Sequence, residues 1–86
     1  MSKAMSMQLI RGEFKAADAL DLITQMIHVK IRFHEEHIRQ DSSEEDIKYR
    51  ESRIKQLQKE LYELRQRLDR SPTAVKLDGI IKIVEP

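Results

Sequence analysis

The 86-residue chain has no cysteine and no tryptophan, and only two glycines, two prolines, two phenylalanines and two tyrosines. Without cysteine, neither a disulfide nor a thiolate zinc site can form. Two glycines leave little scope for a glycine-rich phosphate loop, and the few aromatic residues are too scattered for a base-stacking platform. For so short a chain, the remaining sources of extra stability are a metal held by histidine or carboxylate, or a partner chain.

Excess charge of one sign is also missing. Lysine and arginine number 16 against 15 acids, a net charge of +1, although 36% of the residues are charged. Such a balance offers no broad positive field to nucleic acid or anionic lipid. No apolar run approaches the roughly 18 residues of a membrane span, and the N-terminal run is too short for a secretory signal. We therefore expect one cytoplasmic domain, 1–86, with residues 1–6 as a flexible tail.

The segment from Lys15 to Gln40 contains neither glycine nor proline, and its apolar residues recur at spacings of three and four. This periodicity predicts a long helix over about residues 15–40. Its main stripe consists of Ala16, Leu20, Ile23, Ile27, Ile31, His34 and Ile38.

A second stripe follows the same rhythm on a neighbouring part of this helix. It consists of Ala19, Leu22, Met26, Val29 and Phe33. A surface helix needs only one apolar stripe against its own domain, so the second requires another contact. We predict that a second copy covers it, with Leu22, Met26, Val29 and Phe33 forming the dimer interface.

A second helix is predicted over about residues 43–69. Ser42 and Glu45 match a capping box, and the acids that follow suit the positive end of a helix dipole. Ser71-Pro72 ends the helix. Its apolar residues form one narrow, coiled-coil-like line, interrupted where Arg50 takes an apolar slot. That line consists of Ile47, Ile54, Leu57, Leu61, Leu64 and Leu68.

The two ends of the chain alternate like strands. In residues 7–14, Met7 and Leu9 lie on one side of the predicted strand and Ile10 and Phe14 on the other. Residues 75–84 alternate in the same way, and Gly79 is a candidate bulge. Helices of equal length joined by a short turn favour an antiparallel hairpin, which brings both strands to one end.

The predicted fold is therefore mostly α: a long antiparallel helical hairpin whose short terminal strands pair antiparallel, in the order β-α-α-β. A two-stranded ribbon leaves backbone edges unpaired, and these edges invite a further strand. The predicted strand edges are at Leu9, Ile10, Ile81 and Ile83.

His34 and His37 are weak candidates for a metal site. They are three residues apart, whereas the H-E-x-x-H motif needs four, and no glutamate precedes a histidine at the spacing of di-iron bundles. Because His34 lies in the main apolar stripe, we expect it to be buried and hydrogen-bonded across the hairpin. No metal or cofactor is predicted.

The stretch LIRGEFKAADALDLITQMIHVKIRFHEEHI, residues 9–38, resembles a pattern seen in small bacterial proteins of uncharacterised activity. That pattern has a strand with Gly-x-Phe, a long helix with a Phe-His segment, a charged second helix and a closing strand. The resemblance implies this architecture and brings no activity or cofactor.

No catalytic constellation is present, and long loops, which usually carry catalytic residues, are nearly absent. We therefore expect a non-enzymatic, homodimeric protein-protein interaction or adaptor module, with itself and an unknown protein as partners. Two alternatives stay open. A dimer could align basic patches into a small nucleic-acid-associated regulator, although nucleic acid is not the expected partner, or it could bring histidine pairs together around a metal.

Overall fold

The computed structural model describes residues 3–40, 43–69 and 73–86. The elements follow in the order β1 (Ala4–Lys15), α1 (Ala16–Gln40), α2 (Glu44–Asp69) and β2 (Ala74–Val84). The helices pack against each other as a hairpin, and β1 and β2 form a two-stranded antiparallel sheet. This arrangement confirms the predicted β-α-α-β fold. Within the described ranges, neither helix is apolar over a stretch long enough to cross a membrane.

Both helices begin one residue later than predicted, and α2 is capped by Ser43. The amide of Asp46 donates a hydrogen bond to Ser43 Oγ at 3.5 Å, and the amide of Ile47 donates to the Ser43 carbonyl at 3.1 Å. The bond to Ser43 Oγ satisfies an amide that has no partner inside the helix, and the bond to the Ser43 carbonyl is the first backbone bond of α2. The predicted cap, Ser42, lies outside the described residues, so the observed cap is one position further along the chain.

The ribbon is longer than the sequence indicates. β1 begins at Ala4, which pairs with Val84, so residues 4–6 belong to the sheet. The flexible tail predicted for residues 1–6 overlaps this strand at residues 4–6, where backbone pairing extends to the end of β2. At the other end of the ribbon, the amide of Ala16 donates to the Thr73 carbonyl at 3.0 Å, which joins the start of α1 to the sheet.

A β-bulge at Leu9 changes the phase of β1. Gln8 pairs with Ile80 and Ile10 pairs with Gly79, so Leu9 is an extra residue between two ladder positions. Directly opposed residues share a face of the sheet. The bulge therefore places Met7 on the same face as Ile10 and Phe14, which corrects the prediction that Met7 lies on the opposite side. The irregularity occurs opposite Gly79, where a bulge was predicted.

Two side-chain features accompany the bulge. The Gln8 side-chain amide nitrogen lies 2.9 Å from the Ile10 carbonyl, 3.2 Å from the Gly79 carbonyl and 2.7 Å from Asp78 Oδ1, and donates toward these acceptors. The Gln8 side chain thereby links β1 and β2 by hydrogen bonds where the regular ladder is interrupted. Gly12 has φ of 141°, a conformation that residues with a side chain rarely adopt.

The chain has almost no closed core. Among the described residues only Ala19, Leu61 and His34 are buried. The main stripe of α1 and the apolar line of α2 are otherwise half-buried along the hairpin seam. The principal-axis extents are 45 × 35 × 14 Å, so the chain is a thin slab. Its radius of gyration of 15.9 Å exceeds the roughly 12 Å of a compact domain of this length.

We expect Ser43→Ala to lower the free energy of unfolding by about 0.5–1 kcal/mol, because the Asp46 amide loses its side-chain acceptor. The long 3.5 Å contact places the loss toward the lower end of the range usual for helix caps. Urea denaturation followed by circular dichroism measures the change. Ser52→Ala, at an exposed position inside α2, is the control, and alanine there leaves stability unchanged or slightly increased. Equal losses in both variants would contradict the cap.

Candidate interaction surface

The predicted dimer interface forms an exposed stripe on α1. Leu22, Met26, Val29 and Phe33 are between 37% and 62% exposed, so the lone chain buries each of them only in part. We call these four residues the α1 stripe. Ala19, predicted to belong with them, is fully buried close to the base of the ribbon. The stripe therefore begins at Leu22.

An open apolar groove runs between α1 and the ribbon. It has a volume of about 280 Å³, and a neighbouring hollow of about 410 Å³ lies along the α1 stripe. Met26 and Lys30 line both, so the two depressions lie side by side. The groove is lined by Ile10, Ile23, Met26, Ile27, Lys30, Leu57, Leu77, Asp78 and Gly79. The groove offers mainly hydrocarbon to any occupant, with Lys30 as its cation, and Asp78 alternates with the inward-facing Leu77 and Gly79.

The ribbon continues this apolar surface. Cross-strand pairs at alternate positions form its inner face, Phe14 with Val75, Gly12 with Leu77, Ile10 with Gly79, Met7 with Ile81 and Met5 with Ile83. The pairs near the helices line the groove or are half-buried. The four large side chains nearest the tip are 43% to 59% exposed. We call these last four the ribbon tip: Met5, Met7, Ile81 and Ile83.

The predicted strand edges occupy different environments. Ile10 lines the groove, Ile81 and Ile83 belong to the ribbon tip, and Leu9 is the bulge residue. Within the described parts of the chain, β1 and β2 pair only with each other, so each keeps one outer backbone edge. The side chains at these positions therefore contribute more through the inner face than through the edge itself.

His34 joins the two helices at one end of the α1 stripe. Arg50 Nη1 donates to His34 Nδ1 at 3.2 Å, which confirms the predicted hydrogen bond across the hairpin. Because Nδ1 accepts, the ring proton lies on Nε2, which is buried and has no hydrogen-bond partner among the described residues. Burial lowers the pKa of His34 below 6.5, and the positive charges of Lys30, Arg50, Arg53 and His37 lower it further.

Cations surround the ring of Phe33. Lys30 Nζ lies 4.9 Å and Arg50 Cζ 5.8 Å from the ring centroid, distances typical of cation–π contacts. The His37 ring lies 4.2 Å from the same centroid, and its Nδ1 donates to the Phe33 carbonyl at 2.9 Å. The end of the α1 stripe at Phe33 is thus an exposed aromatic ring held within a cationic cluster.

The weak metal candidates do not converge on an ion. His34 Nδ1 is engaged by Arg50 and its Nε2 is shut off from solvent, while His37 Nδ1 is engaged by a backbone carbonyl. In the described ranges, no three histidine or acidic side chains come close enough together to hold a metal. The geometry here is that of helix packing around one buried imidazole.

The chain was compared with protein-family models, curated proteins and solved structures, and none of the three comparisons gives a significant match. The resemblance to small bacterial proteins therefore stays a prediction.

Sequence reasoning missed Met5 and Met7 as part of the apolar surface. Their odd numbering matches the odd-numbered apolar residues of β2, whereas Ile10 and Phe14 are even-numbered. That change of parity within one strand is the available signal of a bulge, because a regular strand keeps its alternation.

We predict that acid weakens the fold through His34. The folded pKa lies below the unfolded value of 6.5, so the unfolded chain takes up this proton more readily. The contribution of neutral His34 is complete above that value and is lost as the pH falls below it through the folded pKa. Chemical denaturation between about pH 7.5 and 5.5 measures the decline in the free energy of unfolding.

His34→Asn keeps a neutral acceptor near the position of Nδ1 and removes the titration, so its stability should change less over this range. His28→Asn, at an exposed position of the same helix, is the matched control and should retain the decline seen in the original chain. An undiminished decline in the His34 variant would assign the acid sensitivity to other groups.

Proposed function

We propose that this protein is a non-enzymatic, cytoplasmic, homodimeric interaction module whose apolar surface is covered by a second copy of the chain. That surface comprises the α1 stripe, the groove and the ribbon tip. The main support for this proposal is the large solvent-accessible area of the single chain. The chain exposes 7331 Å², whereas a compact monomer of 10.2 kDa exposes about 5,300 Å².

The size of this excess supports a dimer rather than a transient contact. An excess of roughly 2,000 Å² compares with the ~800 Å² that each partner buries in a standard interface and the 1,000–2,500 Å² typical of obligate homodimers. The dimensions agree, because a compact assembly of twice this length has a radius of gyration of about 16 Å, close to the 15.9 Å of the single chain. A second copy can therefore fill space that this chain already spans.

The chemistry of the surface favours binding over catalysis. The group with a clearly lowered pKa, His34, is packed in the hairpin seam and lies outside the groove lining. Lys30 brings a charged side chain to that lining, whereas Asp78 belongs to the outer face of the ribbon by its pairing with Arg11, and the other lining residues are hydrocarbon or glycine. No nucleophile with an adjacent general base lines the groove. An apolar surface of this kind stabilises an association by removing hydrocarbon from water.

The charged faces support a protein partner more than a nucleic acid. On the outer face of the ribbon, Arg11 stands opposite Asp78 and Glu13 opposite Lys76. Alternating signs cancel the field that phosphate binding requires. Beyond the dimer, we propose that an unidentified protein uses the outer strand edges, which is the adaptor part of the function.

The dimer is tested at Val29. Val29→Lys should weaken self-association at least 100-fold, because it introduces a charge into the centre of the α1 stripe. Val29 is 62% exposed, so lysine fits the lone chain without disturbing its packing. Sedimentation equilibrium or light scattering over a concentration series gives the dissociation constant.

Tyr62→Lys is the matched control, because Tyr62 is 61% exposed but lies on α2, away from the proposed surface. It should leave the dissociation constant within about threefold of the original, as usual for surface substitutions remote from an interface. If the original chain is monomeric at micromolar concentration, or both variants weaken it equally, the proposed surface is wrong.

A further inference from the structure

We infer that the second copy docks with its α1 antiparallel to the first, about a two-fold axis that passes between Ile27 and His28, and that each ribbon tip reaches across this axis to the partner. The inference rests on the proposed dimer and specifies its geometry. It follows from the spacing of the α1 stripe, from the cationic cluster and from the position of the groove.

The residues of the α1 stripe have the same spacing in both chain directions. Its residues are separated by intervals of four, three and four, which are symmetric about the midpoint between Ile27 and His28. A two-fold interface uses the same patch on both subunits. Because the spacing of this patch is symmetric, every residue of the α1 stripe can oppose a stripe residue of the partner when the two helices are antiparallel. An antiparallel contact about that midpoint opposes Leu22 to Phe33 of the partner, and Met26 to Val29 of the partner.

Charge favours this direction over a parallel one. The cationic cluster around Phe33 consists of Lys30 and Arg50. A parallel contact would bring the two clusters side by side. The antiparallel contact keeps the two Phe33 positions about 17 Å apart along the helix axes, at 1.5 Å per residue. It also places each cluster near the first turn of the partner's α1, whose acidic residue is Asp18.

The groove places the ribbon beside the same axis. Ile10 and Leu77 line the groove together with Ile23, Met26 and Ile27 of α1, which lie directly next to the midpoint. The strands continue beyond Ile10 for six more residues to Ala4, roughly 20 Å at 3.3 Å per residue. The ribbon tip lies on this continuation and is exposed in the lone chain. The same operation that pairs the α1 stripes brings the partner to that side, so one symmetry element covers both exposed surfaces.

Spin labels on the outward face of α1 measure the direction. Because the chain has no cysteine, Asp21→Cys, His28→Cys and Arg39→Cys each give a single labelling site, and all three positions are exposed and outside the α1 stripe. In the antiparallel dimer, the component of the label-to-label distance along the helix is about 1.5 Å at position 28, about 20 Å at 21 and about 35 Å at 39. Double electron–electron resonance should therefore give the shortest distance at position 28 and the longest at 39.

The outcomes separate the two proposals. Three similar distances would indicate a parallel dimer and overturn the inference, while the dimer itself would survive. A shortest distance at position 21 or 39 would overturn the position of the axis. Monomers in light scattering of the same labelled samples would overturn the dimer and the inference together.

The contact made by the ribbon tip is tested by one substitution on the inner face of the ribbon and a control on the outer face. Ile83 belongs to the ribbon tip, and its neighbour Val84 points to the opposite face of the sheet, where it pairs with Ala4. Ile83→Lys should weaken dimerisation at least tenfold, whereas Val84→Lys should change it less than threefold. Both residues are exposed in the lone chain, so neither change requires repacking. Equal effects, or no effect of Ile83→Lys, would overturn the reach of the ribbon across the axis.

Discussion

The hairpin has one apolar seam, and the rest of the molecule depends on that limit. α2 offers a single narrow line of apolar residues, and the main stripe of α1 occupies it. The remainder of α2 is largely charged, so it has no second face to offer. Every further apolar residue of α1 must therefore be covered by the ribbon, by a partner or by nothing. The ribbon flanks the side near Ile23 and Ile27 across the groove and leaves these residues half-buried, and the α1 stripe stays exposed.

In the ribbon, the backbone register decides which side chains share a face. A regular ladder would put Met5 and Met7 on the outer face, away from Ile10, and would leave neither face consistently apolar. One extra residue at Leu9 places Met5 and Met7 on the same face as Ile10 and Phe14, together with Ile81 and Ile83 of β2. The result is a continuous inner face that is longer than the hairpin covers. A local irregularity in one strand thus creates apolar surface that a thin, two-helix chain does not enclose.

The order and type of the elements could be predicted from the sequence because they depend on local periodicity. Spacings of three and four are sustained for more than six turns in α1, and a buried imidazole was expected where His34 falls in that pattern. The position of the bulge could not be predicted, because it depends on which residues of β1 pair with which residues of β2, and that register is known only from the structure. The cap differed by one residue, since two adjacent serines have the same chemistry and only backbone geometry selects between them. The α1 stripe was found by period, but its continuity with the groove and ribbon depends on contacts between residues distant in sequence.

Arg50 connects the seam to the exposed surface. Its guanidinium donates to buried His34 and lies over the ring of exposed Phe33, so one side chain contributes to both regions. The hydrogen bond requires a neutral imidazole, because a protonated ring would present a donor to a donor. One of the contacts that position Arg50 beside Phe33 is therefore linked to the ionisation of a residue inside the hairpin. An apolar side chain at position 34 would fill the seam but would remove this hydrogen bond between the helices, which is a physical reason for a histidine in an otherwise hydrophobic stripe.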